Sequence, residues 1–284
     1  MGNSPPLLPV GYSTFRQIRD ERRVYVDKSR YLPGLKELGK VIFLSRPRRF
    51  GKSLTVSTLD SFHSGERELF RGLAVERSMD SPGFVPRPVI RLDMSVPSGA
   101  DSKTKLEAKI TVALQKIAKR HNVTIQGVDS ADLFLNLIEE VNESCSQKVV
   151  LLIDEYDAPV IKVIQDPGLS GIADLLRDTR SVMSDFYGKI KSADEYLELV
   201  FITGVTKFSR MGVFSTLNNI TDISLLPEFA GIVGFTQGEL EKNFKPFVAR
   251  TADALGLGED VLLDRMRDYY DGFSFDGETR LYNP

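Results

Sequence analysis

The chain has 284 residues, 42% hydrophobic and 27% charged, with a formal net charge of −2. This length and composition exclude disordered and fibrous classes, and the near-neutral charge excludes a surface that binds nucleic acid throughout. A single cysteine, Cys145, excludes an internal disulfide, and with only two histidines beside it a structural zinc site is not expected. No apolar run approaches the ~20 residues of a membrane span, and residues 1–12 lack a secretory signal, so we expect an intracellular, cytoplasmic protein with no membrane partner.

Short apolar runs alternate with amphipathic stretches along the chain, which is typical of an α/β domain with a mainly parallel sheet. Continuous or alternating apolar runs predict strands at residues 41–44, 88–95, 148–157, 197–205 and 223–226. Helical spacing of apolar residues predicts helices after residue 52 and at residues 103–120, 133–141 and 172–190.

The pattern changes from about residue 236. Two further helical stripes, at residues 240–248 and 261–270, predict a small helical appendage, and the second helix ends near Gly272. Four aromatic residues are assigned to the core of this appendage rather than to a base-stacking platform: Tyr269, Tyr270, Phe273 and Phe275. The last four residues complete no predicted helix or strand, so we expect the appendage to be cut short.

The stretch SRPRRFGKSL at residues 45–54 ends in a Gly-Lys-Ser that follows a buried strand and opens a helix. In the phosphate-binding pattern G-x-x-x-x-G-K-[ST], the lysine reaches the β- and γ-phosphates and the hydroxyl holds Mg²⁺. Lys52 and Ser53 are the candidates here. The tripeptide is a weak signal by itself, because it also occurs by chance.

Arg46 stands where this pattern has its first glycine, and Pro47 removes one backbone N–H and holds Arg46 extended. The loop still offers N–H donors after Pro47 and adds three guanidiniums, which suit forked phosphate contacts. We favour a nucleotide site in which cations replace part of the backbone cradle over an exposed basic tip for nucleic acid. The candidate nucleotide-binding residues of the loop are Arg46, Arg48, Arg49, Phe50, Gly51, Lys52, Ser53 and Leu54.

Two adjacent carboxylates, Asp154 and Glu155, follow the most apolar strand of the chain. Acids at the end of a core strand need a cation or polar surroundings. Beside a triphosphate, Asp154 would bind Mg²⁺ and Glu155 would polarise the attacking water. The alternative is a pair of solvated acids at a strand end, but their position about 100 residues after the Gly-Lys-Ser favours the catalytic interpretation.

The segment FITGVTK at residues 201–207 is a further apolar strand that ends in small polar residues. Thr206 is the candidate to contact the attacking water or the γ-phosphate, and Lys207 or Arg210 could stabilise charge that develops during transfer. A plain turn is an equally acceptable interpretation of each residue.

The chain resembles the AAA-ATPase-like family of P-loop proteins. The segments that carry the resemblance are TFRQIRDERRVYVDKSRYL, SRPRRFGKSL, LLIDEYDAPV, FITGVTKFS, LNNITDIS, FAGIVGFTQGEL and YYDGFSFDGETRLYNP. The resemblance implies a three-layer α/β/α P-loop NTPase of the additional-strand class, with ATP and Mg²⁺ as ligands. It implies phosphate binding by Lys52, metal binding by Ser53 and Asp154, and catalysis by Glu155.

The resemblance also places the N-terminal motif, with Tyr25, Asp27 and Lys28, near the nucleotide, and Phe15, Ile18 or Tyr25 against the adenine. The expected units are residues 1–32, 33–235 and 236–284. Family members often continue into a nuclease-like domain of the PD-(D/E)XK type, which this chain does not include. The expected function is ATP hydrolysis that acts as a conformational switch. The alternatives are a nucleotide-gated binding module with little hydrolysis and a nucleic-acid-binding accessory.

Overall fold

The computed structural model describes residues 6–166, 171–207, 212–213 and 219–284. Its helices are α1 Phe15–Asp20, α2 Leu35–Leu38, α3 Lys52–His63, α4 Glu76–Met79, α5 Lys103–Arg120, α6 Ser130–Cys145, α7 Ala158–Gln165, α8 Ile172–Ser192, α9 Gln237–Leu255 and α10 Glu259–Tyr270. Its strands are β1 Val41–Ser45, β2 Val89–Asp93, β3 Val149–Asp154, β4 Leu197–Gly204, β5 Ile220–Asp222, β6 Asp271–Ser274 and β7 Arg280–Tyr282.

The first five strands form one parallel sheet in the order β2-β3-β4-β1-β5. Strand β4 lies between β1 and β3, so the loop after β1 and the acids after β3 flank the end of β4 at the same edge. This order is the one implied for the additional-strand class, and the predicted fold class is confirmed.

Two apolar cores cover the two faces of the sheet and make the three layers. Alternate residues of β1 point to opposite faces, as the pleat requires, with Phe43 in one core and Ile42 in the other. Helices α5, α6 and α8 cover the first face, whereas α3 and the N-terminal segment cover the second. Of the helices in these described ranges, none is long and apolar enough to cross a membrane.

The fifth strand differs slightly from its prediction, since β5 ends at Asp222 and the predicted strand begins at Ile223. The chain still runs beside β1 at that point. Ile223 donates its N–H to Phe43 O at 3.0 Å, and the Ser224 hydroxyl accepts from Ser45 N at 2.8 Å. Ile223 is buried in the core without regular ladder pairing, whereas Leu225 is exposed. An apolar run in the sequence does not distinguish this arrangement from a strand.

The C-terminal part contains the two predicted helices and, in addition, a β-hairpin. Helix α9 begins with a capping box in which Thr236 and Glu239 bond each other's backbone N–H groups. The expectation that no element is completed at the end of the chain is wrong, because β6 and β7 pair as antiparallel strands. The assignment of Tyr269 and Tyr270 to the core is also wrong, since they are 82% and 60% exposed.

Candidate functional site

The phosphate loop connects β1 to α3 through two left-handed residues. Arg49 has φ +69° and Gly51 has φ +91°, and Gly51 directly precedes the first residue of α3. A Cβ on Gly51 would meet nothing within 4 Å, so the glycine is needed for its backbone angle rather than for space. The turn places the N-terminus of α3, with its unpaired N–H groups and positive dipole end, at the carboxyl edge of the sheet.

Lys52 is buried and is held against its own loop. Its Nζ donates to the carbonyl oxygens of Arg46 at 3.1 Å and Pro47 at 3.0 Å. Burial lowers the pKa of the Lys52 ammonium, and the negative charges of Asp154 and Glu155 oppose that shift. The lysine and the two carboxylates, predicted from segments about 100 residues apart, therefore lie close enough to interact.

The structure buries Arg46, which the sequence analysis gives as a candidate phosphate-binding residue. It is 1% exposed, whereas Arg48 and Arg49 are exposed. Nη1 donates to Ser45 O at 2.9 Å and to Ser224 O at 2.6 Å, and the guanidinium lies 4.0 Å from the centre of the Phe275 ring. Burial lowers the pKa of Arg46 to about 10, so it stays charged at neutral pH.

Asp154 is the last residue of β3 and is 3% exposed. Its Oδ1 accepts a hydrogen bond from the Thr203 hydroxyl at 2.8 Å and from the Glu155 N–H at 3.1 Å. Thr203 comes from β4, so two neighbouring strands orient the carboxylate. Such outer contacts are typical of a carboxylate that holds a metal in a fixed direction.

Glu155 follows in a left-handed conformation with φ +50°, which is uncommon for a residue with a side chain. Burial raises the pKa of the Glu155 carboxyl, and the nearby charges of Asp154 and Asp93 raise it further. A carboxylate with a raised pKa is a stronger base, which suits a group that polarises water.

Asp157 completes the acidic side by bonding the chain after β4. Its buried Oδ2 accepts from Val205 N at 3.1 Å and from Thr206 N at 2.6 Å. The Thr206 carbonyl in turn accepts from the Tyr156 hydroxyl at 2.9 Å. Thr206 therefore has its backbone fixed beside the acids, whereas Arg210 lies outside the described residues.

A cavity of about 940 Å³ opens beside the loop. Its polar part is lined by residues 48–55, Thr58 and Glu155. Its apolar part is lined by Leu8, Val10, Ile18, Val24, Val26, Leu32, Ile232, Val233, Phe235 and Phe244. One charged end and one long apolar end suit a ligand that joins phosphates to a flat ring.

The N-terminal segment forms part of this cavity. Tyr25 and Ile18 line it, whereas Phe15 is fully buried behind Tyr25, with ring centres 5.1 Å apart. Lys28 also lines the cavity and pairs with Glu239 at the start of α9, with Nζ and Oε2 2.6 Å apart. The two ends of the chain are thus joined across the apolar part of the cavity.

A second cavity, of about 370 Å³, lies on the other side of Glu155. Glu155 and Arg48 line both cavities, and Ser95, Ser98 and Lys162 complete the polar lining of the second. Glu155 therefore lies between two cavities, the second of which has a mainly polar lining.

Comparison with known proteins identifies the family. The family model described as "Predicted AAA-ATPase" matches residues 9–214, which is most of the chain and includes the ends of both β1 and β3. The chain belongs to the AAA-ATPase-like family. An Azotobacter chroococcum mcd 1 relative, described as "Uncharacterized protein in vnfD 5'region", is 33% identical over 278 residues, or 98% of this chain. The chain spans 50% of the length of that relative.

Solved structures give a much weaker likeness. A chain from the structure of Drosophila ORC bound to GC-rich DNA and Cdc6 is 11% identical, with a TM-score of 0.29 over 74% of this chain and 56% of its own. A chain from the corresponding complex with AT-rich DNA is 11% identical, with a TM-score of 0.32 over 95% of this chain and 89% of its own. TM-scores this low carry no argument about function.

Membership of the AAA-ATPase-like family supports nucleotide binding, and the donor set at the loop fits a metal that is held jointly with a nucleotide. In the described ranges, no three His, Cys, Asp or Glu side chains are grouped to hold a metal ion unaided. Ser53 at the start of α3 and Asp154 at the end of β3 offer two oxygen ligands. Mg²⁺ accepts few protein oxygens and takes its others from phosphates and water, so the residues present fit Mg²⁺ bound with a nucleotide.

Two side chains at the site, Thr203 and Asp157, are not among the nucleotide-site residues predicted from the sequence. Thr203 bonds the Asp154 carboxylate, whereas the candidate predicted from the same segment is Thr206, and Asp157 fixes the backbone after β4. The sequence contains a usable signal for both, because each lies within three residues of a predicted site residue at the end of a core strand.

Proposed function

We propose that the chain binds ATP with Mg²⁺ and hydrolyses it, and that Lys52, Ser53, Asp154 and Glu155 carry this activity. The observation that carries the proposal is the convergence of Lys52 and Glu155 on one cavity that is polar at one end and apolar at the other. Family membership supports the nucleotide, and the lining supports the placement of its phosphates against the loop.

The loop would bind the β- and γ-phosphates through the N–H groups at the start of α3 and the Lys52 ammonium. In the structure that ammonium bonds two loop carbonyls, and phosphate oxygens are stronger acceptors for a charged donor. Arg48 and Arg49 line the same cavity and are exposed, and Arg48 makes only one long hydrogen bond, of 3.5 Å to Gln165 Oε1, so both can add positive charge near the phosphates.

Ser53 and Asp154 would hold the metal, which when bound neutralises charge on the phosphate oxygens. The Thr203 hydroxyl and the Glu155 N–H keep the Asp154 carboxylate in one orientation before any ligand arrives. Such preorganisation lowers the cost of reorientation during reaction.

Glu155 would orient the attacking water and accept its proton. Its ionised form is the active one, and burial with neighbouring acids raises the pKa of that carboxyl. The turnover rate should therefore be highest above the raised pKa of Glu155 and should fall as the pH decreases through that pKa.

The apolar part of the cavity would take the base, with Tyr25 and Ile18 on the N-terminal side and Ile232, Val233 and Phe235 on the other. Both sides come from outside the phosphate loop. We infer that base binding brings the N-terminal segment and the chain before α9 together around one ligand.

Phosphate release from Mg-ATP tests the proposal. The wild-type chain should release phosphate, and Glu155→Gln should bind ATP with similar affinity but release phosphate at least about 100-fold more slowly. Glu143→Gln, an exposed change of the same type on α6, should match the wild type. Equal rates for Glu155→Gln and wild type would remove Glu155 from catalysis. Tight ATP binding with no release by the wild type would favour a nucleotide-gated binding module instead.

A further inference from the structure

The phosphate loop carries a buried arginine and a buried phenylalanine, and both contact the C-terminal hairpin β6–β7. The Arg46 guanidinium lies 4.0 Å from the centre of the Phe275 ring, within the range of a cation–π contact. Within the described part of the chain, Nε and Nη2 of Arg46 have no hydrogen-bond partner. The ring of Phe275 therefore covers a cation that is only partly satisfied by hydrogen bonds.

Phe50, directly before Gly51, is fully buried against the same hairpin. Its ring packs edge-on against Phe273, with centres 4.8 Å apart, and against Phe275, with centres 5.5 Å apart. Its carbonyl accepts from Gly234 N at 3.1 Å, and a Cβ on Gly234 would lie 3.2 Å from the Phe50 ring. The loop is thus anchored at both ends, by Arg46 and by Phe50, to one pair of rings.

The hairpin presents these rings from a rigid turn. The Asp276 carboxylate accepts from the Thr279 hydroxyl at 2.6 Å and from the N–H groups of Thr279 at 2.7 Å and Glu278 at 3.0 Å. The far strand of the hairpin is joined to the cavity wall, since Tyr282 and Phe235 exchange two backbone hydrogen bonds of 2.8 and 3.2 Å. The hairpin therefore touches the nucleotide cavity through the loop on one side and through Phe235 on the other.

Lys52 connects the contacts between the loop and the hairpin to the proposed triphosphate. In the structure its ammonium bonds the carbonyl of Arg46, the same residue whose guanidinium lies on Phe275. A triphosphate that draws Lys52 away frees that carbonyl. Arg46 is then held by its N–H bond to Gly204 O at 3.2 Å, by its side-chain bonds to Ser45 and Ser224, and by Phe275. The position of the loop in the nucleotide-bound protein then depends more strongly on the hairpin.

We propose that Arg46 and Phe275 are positioning residues for nucleotide binding, through which the hairpin β6–β7 holds the phosphate loop, so that nucleotide and hairpin stabilise each other. This inference rests on the proposed function. Because coupling between two sites is reciprocal, the factor by which the hairpin tightens nucleotide binding equals the factor by which nucleotide stabilises the hairpin against opening.

Two measurements on the whole chain test this coupling. The first is calorimetric ATP affinity with Mg²⁺ for the wild type, Phe275→Leu and Arg46→Lys, with Tyr269→Leu as the matched control because that ring is exposed. Phe275→Leu should bind about fivefold more weakly, the size of one cation–π contact, and Tyr269→Leu should match the wild type. Arg46→Lys keeps the charge but loses the flat guanidinium, so it should lie between Phe275→Leu and the wild type.

The second measurement is amide hydrogen exchange of residues 271–282 in the wild type, with and without ATP and Mg²⁺. Nucleotide should slow this exchange by at least about fivefold, and the effect should be smaller in Phe275→Leu. If Phe275 had only a structural role, Phe275→Leu would change the exchange of residues 271–282 by the same factor with and without nucleotide. If Phe275→Leu does not fold, the wild-type exchange measurement alone decides.

The outcomes separate the two proposals. Nucleotide binding by the wild type with unchanged exchange in residues 271–282 overturns the coupling and leaves the proposed function standing. Wild-type affinity in a folded Phe275→Leu variant overturns it equally. Absence of any nucleotide binding by the wild type overturns the proposed function, and this inference with it.

Discussion

The two sides of the phosphate end of the cavity are built in opposite ways. On the acidic side, a Cβ on Gly204 would lie 2.4 Å from the Tyr156 ring and 2.7 Å from Asp157 Oδ1. On the loop side, a Cβ on Gly51 would meet nothing within 4 Å. The acids are set in a close-packed frame, whereas the loop lies open and is held by a few contacts.

Hydrogen bonds follow the same division. Asp157 and Asp154 each accept two hydrogen bonds from the ends of β3 and β4 or the residues after them. In contrast, the buried Arg46 bonds through one of its three guanidinium nitrogens, given the residues described. In the proposed function, the acidic side would supply fixed geometry, while the loop side would adjust when a ligand binds.

The largest effect is expected from Asp154→Asn, which keeps an acceptor for Thr203 but removes the charge that would hold the metal. Turnover should fall at least about 100-fold, and Mg²⁺ should no longer strengthen nucleotide binding. Calorimetry at several Mg²⁺ concentrations measures the second effect without relying on activity. Asp268→Asn, an exposed change on α10, is the control, and unchanged Mg²⁺ dependence in Asp154→Asn would contradict the assignment.

Asp157→Ala should break the acidic frame itself. It leaves the N–H groups of Val205 and Thr206 without their acceptor, which should lower the free energy of unfolding by about 2–4 kcal/mol. Urea unfolding followed by circular dichroism measures this loss. Asp157→Asn keeps one acceptor oxygen and should lose less. A change in Asp157→Ala no larger than that of an exposed substitution would show that the frame does not depend on this carboxylate.

The glycines of the two sides provide a matched pair. Gly204→Ala forces the new methyl group against Tyr156 and should lower the free energy of unfolding by about 1–3 kcal/mol. Gly51→Ala meets no atoms but keeps a left-handed φ, so it should cost about 1–2 kcal/mol and also weaken nucleotide binding. Chemical unfolding and calorimetry on both variants compare them. A larger loss of stability in Gly51→Ala than in Gly204→Ala would contradict the conclusion that the acidic side is the more closely packed of the two.

The smallest effect is a shift in pH dependence. The charge of Asp93 helps to raise the pKa of Glu155, and Asp93→Asn removes that charge while keeping an acceptor for Ser95. The pKa of Glu155 should then be lower, so the acid side of the turnover profile should move to lower pH. Phosphate release measured across the acid range checks the direction. A shift to higher pH would mean that the profile reports a different group.

The parts of the fold and site that could be predicted from the sequence are those determined by local pattern and parallel topology. The apolar runs located β1 to β4, and parallel strands necessarily bring Lys52 and Asp154 to one edge of the sheet. The hairpin is not predicted by the sequence analysis, although its signal is present: five residues that include Asp276-Gly277 separate two short runs that contain Phe273 and Leu281.

The side-chain directions that depend on distant segments could not be predicted. Arg46 was grouped with the phosphate ligands because of its place in the motif, but it bonds Ser224 and lies on Phe275, both more than 170 residues away in the chain. Tyr269 and Tyr270 fit a helical apolar stripe, yet no element among the described residues buries them. Neither outcome is determined by local sequence.

The most direct test of the central claim is a calorimetric titration of Mg-ATP into the wild type and Lys52→Ala. If Lys52 and the two carboxylates surround one triphosphate, the wild type should bind a single ATP and Lys52→Ala should bind at least about tenfold more weakly. Lys116→Ala, an exposed change on α5, should bind like the wild type. Equal affinity of the wild type and Lys52→Ala for ATP would contradict the account.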